Sequence, residues 1–266
     1  MKGKLYITLF VQAIFVLITS CESVINLDLE TSSPQIIIQG NIYNTPGPYS
    51  VRITKSVNFD DLSSYPPVTD ARVEISDNLG NSEILAETEP GIYLTSSITG
   101  TPGNKYTLTV TAEGKTYTAC STMPSPVPVT NIYFDVSTFS SDIITIVSFR
   151  DPPDTDNFYR SIQLINNEPQ SEFVVFSDFT IEGRSASYSL IPSDGERKLN
   201  PGDEVTILLE CIDKDVYEYF RTAGSENGQS ASPANPKSNL SNGALGYFNA
   251  CSVSRISSMV PEKDNE

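Results

Sequence analysis

Apolar and polar residues alternate with a period of two along much of this chain. Tyr49, Val51 and Ile53 alternate with Ser50, Arg52 and Thr54. Ala71, Val73 and Ile75 alternate with Arg72, Glu74 and Ser76, and Tyr106, Leu108 and Val110 with Thr107, Thr109 and Thr111. A period of two places one set of side chains on each face of a strand, so these segments predict half-buried β-strands. The same reading predicts strands at Gln35–Tyr43, from Gly91, at Thr116–Cys120, Ile132–Val136, Ile143–Phe149, Phe158–Ile165, Phe173–Phe176, Tyr188–Ile191, Val205–Ile212 and Tyr247–Ile256. Asn44-Thr45-Pro46-Gly47-Pro48, Asp77-Asn78-Leu79-Gly80-Asn81 and Glu113-Gly114 supply turn chemistry between them.

Helical spacing is confined to one segment of the strand-rich region. Val216, Tyr219, Phe220 and Ala223 share a face of Lys214–Ala223, with Asp213 as the N-cap and Gly224 as the terminator. Strands at this spacing with a single helix predict an all-β chain of two consecutive β-sandwich domains, immunoglobulin- or fibronectin-like, with one short helix near the C-terminus. Pro124, Pro126 and Pro128 stiffen a connector that follows Met123. The expected domains are therefore 34–123 and 124–266, the second carrying helix 214–223 and a long, pattern-poor loop, 224–246.

The first residues obey a different rule. Lys2 and Lys4 precede an apolar run, Leu5–Ile18, and Thr19-Ser20 leads into Cys21. A basic head, a short apolar run and small residues before the cut are a secretory signal, too short for a comfortable membrane span. Cysteine at the cut is the bacterial lipobox. The expectation is a signal peptide at 1–20, an acylated tether at 21–33, and palmitate-like chains on Cys21 holding the protein to outer-membrane lipid. The acids of the tether leave open whether the protein faces the cell surface or the periplasm.

Composition narrows the chemistry. Of 17 basic residues, Lys2 and Lys4 leave with the signal, so 15 face 33 acidic ones and the net charge becomes −18. Such a surface repels phosphate, which argues against nucleic acid and against charge-driven membrane binding, so the anchor must be the acyl chains. There is no histidine, which removes histidine-based nucleophilic catalysis and histidine metal sites. Tryptophan is absent too, which argues against a dedicated carbohydrate module, although some of the 13 tyrosines could serve. No nucleophile elbow or Ser-x-x-Lys motif occurs, and no spacing singles out a glycosidase carboxylate pair.

Three groups of residues carry candidate sites. Asp151, Asp154 and Asp156 crowd one loop beside Asn157, a set that suits either calcium or ordinary turn formation. No other cofactor is expected. Cys120, Cys211 and Cys251 remain after lipidation; either Cys211 and Cys251 form a disulfide or the thiols are buried as small apolar groups. Two loops stand out as a contact surface: Asn58–Thr69, with Phe59, Leu62 and Tyr65 among acids, and Gly224–Gly246, with Asn235 and Asn239.

Taken in order, Pro67–Gly80, Pro90-Gly91-Ile92-Tyr93, Pro102–Val110, Gly114–Ala119, Phe149-Arg150-Asp151-Pro152, Asn157-Phe158-Tyr159 and Asn239–Phe248 resemble domain-of-unknown-function family 4249. The resemblance covers nearly the whole mature chain. It implies a bacterial outer-membrane lipoprotein often encoded beside a TonB-dependent receptor, with no established catalytic residues to carry over. The expected function is a non-catalytic binding or accessory component of TonB-dependent nutrient uptake, with that receptor as partner. A structural or adhesive surface lipoprotein is the alternative, and a carboxylate-based hydrolase ranks third.

Overall fold

Alternating strands bury their apolar face only when paired and covered, and this chain does both with one broad sheet and two smaller ones. The computed structural model describes residues 33–57, 64–138, 140–192, 197–224 and 236–262. The N-terminal half contributes β1 (Ile36–Tyr43), β2 (Ser50–Lys55), β3 (Arg72–Asp77), β4 (Ser82–Ile84), β5 (Ala86–Glu89), β6 (Ile92–Leu94), β7 (Lys105–Ala112) and β8 (Lys115–Thr122). The C-terminal half contributes β9 (Val129–Val136), β10 (Ile143–Arg150), β11 (Phe158–Ile165), β12 (Glu168–Ser177), β13 (Ser185–Leu190), β14 (Glu204–Ile212), helix α1 (Lys214–Gly224) and β15 (Leu245–Met259). The chain is all-β and sandwich-like, with one helix among the described residues, and the expected strands and helix are present. Short β4 and β5 were invisible to the pattern; β5 is exposed at every position.

The broad sheet has eight strands in the order β12-β11-β14-β15-β1-β2-β6-β5. Its inner face is covered by the four-stranded sheet β4-β3-β7-β8 over one half and by the three-stranded sheet β13-β10-β9 over the other. In the first half Ile38, Val51, Ile53, Val73, Leu108, Val110 and Phe248 are completely buried. Each such side chain contributes about 1.5–3 kcal/mol of transfer free energy. The second half is filled by Ile165, Val205 and Ile207, with Phe149, Tyr159 and Leu209 beside them.

β15 welds the halves together. Leu245–Cys251 pairs in parallel with Ile37–Tyr43 of β1, and Ser252–Met259 pairs antiparallel with β14. Gly246 makes that parallel approach feasible: its φ is +94°, and a Cβ there would lie 2.0 Å from the Ile38 carbonyl oxygen.

The expected division after Met123 is corrected by this sheet. The described residues from Pro34 onward form one compact unit. The opposing sheet does change near Met123, from β8 to β9, but the broad sheet continues through both halves. Met123 and Val127 are buried at 0% and 1% exposure, so the proline-rich segment is packed against the cores rather than hanging as a linker. Among the described residues no helix is long and apolar enough to cross a membrane.

Candidate functional site

The outer face of the broad sheet is built by the same alternation, but among the described residues no second sheet lies over it. On β1, Ile37, Gln39, Asn41 and Tyr43 point opposite to the buried Ile36, Ile38 and Ile42. Register brings Thr54 and Leu245 alongside Ile37, and Arg52 and Tyr247 alongside Gln39. These rows floor a cleft of about 500 Å³, walled by Ser64 and Tyr65 on one side and by Tyr219 of α1 and Pro236 on the other. Tyr65 is 58% exposed. The two loops singled out in the sequence thus contribute residues to one cleft, although they are far apart along the chain.

Helix α1 sets the second wall, and three contacts hold it. Asp213 caps it, its Oδ1 accepting from the Val216 N–H at 2.9 Å. The other oxygen accepts from Ser121 Oγ at 2.6 Å and the Thr122 N–H at 3.0 Å, so one carboxylate ties the helix to β8. Burial pushes the Asp213 pKa up, against the pull of those hydrogen bonds. Tyr219 and Phe220 pack on the Tyr247 ring at 4.9 and 4.8 Å between centroids.

Beneath Phe220 lies the third contact, a buried ion pair. Arg160 on β11 and Glu210 on β14 are register partners, with Nε and Oε2 3.4 Å apart and side chains 13% and 2% exposed. The guanidinium carbon is 4.1 Å from the Phe220 ring centroid and 5.4 Å from that of Phe173, two cation–π contacts to rings that themselves meet edge-on. Arg160 Nε and Nη1 and Glu210 Oε2 have no hydrogen-bond partner among the described residues. Burial raises the Glu210 pKa although Arg160 pulls it down. Asn249 is also fully buried on this face and donates to Asn41 Oδ1 at 3.3 Å. Sequence reasoning passed over the pair. The available signal was a lone acid in Val205–Ile212 and a lone base in Phe158–Ile165, both otherwise rich in apolar residues, where a charge needs a partner.

The other expected residues fall elsewhere. Cys21, Phe59, Leu62 and Asn235 lie outside the described residues. Asn239 is a structural residue rather than a free contact: its amide donates to the Phe248 carbonyl at 2.8 Å and accepts from the Phe248 N–H at 3.0 Å. Ser241 and Asn242 likewise bond to β8, so 236–246 is tied down, not a pattern-free loop.

Asp151, Asp154 and Asp156 do not converge, and among the described residues no group of three acidic or cysteine side chains is placed to hold a metal. Asp151 turns inward, fully buried, and accepts from the Tyr159 hydroxyl at 2.5 Å and the Gly183 N–H at 3.0 Å. Asp154 stands at φ 63° in the turn, its N–H donating to Glu182, and Asp156 is exposed. The Phe149–Pro152 and Asn157–Tyr159 motifs are therefore the fastening of a loop onto the core.

The disulfide is corrected as well: Cys211 and Cys251 are free. Cys211 is level with Ser252, one residue from Cys251, and that offset puts the two thiols on opposite faces of the sheet. Cys211 packs with Tyr159 and Leu209 inside the sandwich, while Cys251 packs under α1.

No curated protein matches this chain. Among solved structures it is similar to a two fibronectin type-III domain segment from chicken tenascin, at 14% identity over 68% of this chain and 91% of that one, with a TM-score of 0.21. The Asn239–Phe248 and Asp151–Tyr159 motifs, now placed as the docking of β15 and a loop fastening, lie within a family-model match spanning residues 22–257, and the chain belongs to the family described as Domain of unknown function (DUF4249).

Proposed function

We propose that this protein is a lipid-anchored, non-catalytic binding component of a TonB-dependent uptake system of the outer membrane, presenting the outer-face cleft to its ligand. The observation that carries the reading is the convergence of Tyr65 and Tyr219, from distant segments, over a floor of Gln39, Arg52 and Thr54. Aromatic faces beside amide, hydroxyl and guanidinium groups suit recognition. Among the described residues no carboxylate lines the cleft.

The lipobox supports the anchor. Wild-type protein is expected to incorporate labelled palmitate and enter the detergent phase, and Cys21→Ser to do neither; equal partitioning of the two would refute the anchor. Tagged protein recovered from cross-linked outer membranes is expected to bring a TonB-dependent receptor with it. Recovery without any such receptor would refute the uptake role.

A further inference from the structure

We infer that the outer-face cleft binds a short acidic oligosaccharide, sugar rings bearing carboxylate groups, with Arg52 reading the charge and Tyr65 and Tyr219 packing on the rings. The inference rests on reading the cleft as a binding site. Its floor excludes one common mode of peptide capture. β1 is paired on both sides, with β15 and β2, and β2 is paired in turn with β6, so no open sheet edge faces the cleft for a peptide strand to extend. An occupant must be held by side chains.

Those side chains suit a polyol. Gln39 offers an amide donor and acceptor, and Thr54 and Ser64 offer hydroxyls that do both, which matches hydroxyls that also donate and accept. None of these three side chains is engaged in a hydrogen bond with another described residue. Tyr65 and Tyr219 stand on opposite walls and bring flat apolar faces with polar tips. The cleft volume, about 500 Å³, lies within the span of roughly 300–1,000 Å³ usual for small-ligand sites and suits a short oligomer.

Charge selects among sugars. Arg52 is exposed, makes no ion pair with a described residue, and meets no acid among the described residues that line the cleft. On a chain with 33 acidic residues this leaves a local cation where an anionic ligand is otherwise repelled. A guanidinium fork matches a carboxylate in two parallel hydrogen bonds.

The test is titration calorimetry on the detergent-solubilised lipoprotein. The probes are oligogalacturonate and oligoglucuronate, a neutral malto-oligosaccharide of equal length, and a poly-glutamate peptide. At least one uronate oligomer is expected to bind at least tenfold tighter than the neutral sugar, more weakly as salt rises, with the peptide not bound. Arg52→Gln is expected to remove that preference, and Tyr65→Ala to weaken the uronate oligomer tenfold or more. Thermal unfolding of both variants should match wild type, because both side chains are exposed. Binding of neither uronate, equal binding of the neutral sugar, tighter binding of the peptide, or uronate affinity unchanged by Arg52→Gln would each overturn the inference. Receptor recovery that persists alongside any of those results would leave the uptake role standing and remove only the sugar.

Discussion

The two faces of the broad sheet come from the same strands yet differ in how they are finished. The inner face is closed by two opposing sheets, and its first half is apolar almost throughout, from Ile36 to Phe248. The outer face carries one helix, a buried Arg160–Glu210 pair with unpartnered atoms, and an open cleft floored by Gln39, Arg52 and Thr54. Period-two geometry forces this separation, since each residue that strengthens the core leaves its neighbours free for the other side. Stability is concentrated on one face, and the chemistry available for recognition on the other.

The comparison is broken most severely at the seam. Gly246→Ala would place a Cβ 2.0 Å from the Ile38 carbonyl oxygen at a φ of +94°, in a strand both halves need. A loss of at least about 4 kcal/mol, or failure to fold, is expected in urea denaturation. A variant within about 1 kcal/mol of wild type would show that β15 docks differently.

The buried pair tests whether the outer face also contributes stability. Glu210→Gln strands the Arg160 charge and should cost about 3–5 kcal/mol, whereas replacing both as Arg160→Met with Glu210→Leu should recover most of that loss. If the double variant is as unstable as the single one, the pair is needed for more than mutual neutralisation, and α1 depends on its charges.

Acid separates a half-buried clamp from the buried pair. Glu83 accepts hydrogen bonds from Ser96 and Ser97, through both N–H and hydroxyl, and from the Ile98 N–H. Desolvation opposes its charge, but these bonds outweigh it and hold the pKa down at about 2, against an ordinary 4.5. A depressed carboxylate pKa means its contribution is complete above about pH 4.5 and is lost as pH falls towards 2. Glu210 is shifted the other way, raised by burial, so it does not share the acid loss that Glu83 produces. Unfolding midpoints of wild type and Glu83→Gln should therefore differ at pH 7 and converge near pH 2. A constant difference across that range would remove Glu83 from the acid response.

The smallest effect on stability is expected in the cleft. Arg52→Gln and Tyr65→Ala should each stay within about 0.5 kcal/mol of wild type, because neither packs in a core. A loss above 1 kcal/mol in either would assign that side chain to the fold rather than to recognition.

Local pattern was enough for what depends on neighbours in sequence. The strands, the helix with its Asp213 cap, the all-β class and the two loops that meet at the cleft were legible because periodicity, capping and turn chemistry act over a few residues. The motif residues Gly246 and Asp151 were visible as a pattern but not as a β15 seam and a Tyr159 fastening. What required distant partners was not legible. Nothing in the spacing says that β15 pairs in parallel with β1, so two separate sandwiches were expected where one sheet runs through. Cys211 and Cys251 lie in strands that do pair, but a one-residue offset in register sends their thiols to opposite faces. Arg160 and Glu210, 50 positions apart in the sequence, acquire a meaning only as register partners. Residue order along the chain determined the elements and the face each side chain takes; strand register, a property of long-range pairing, decided which faces meet and where the cleft opens.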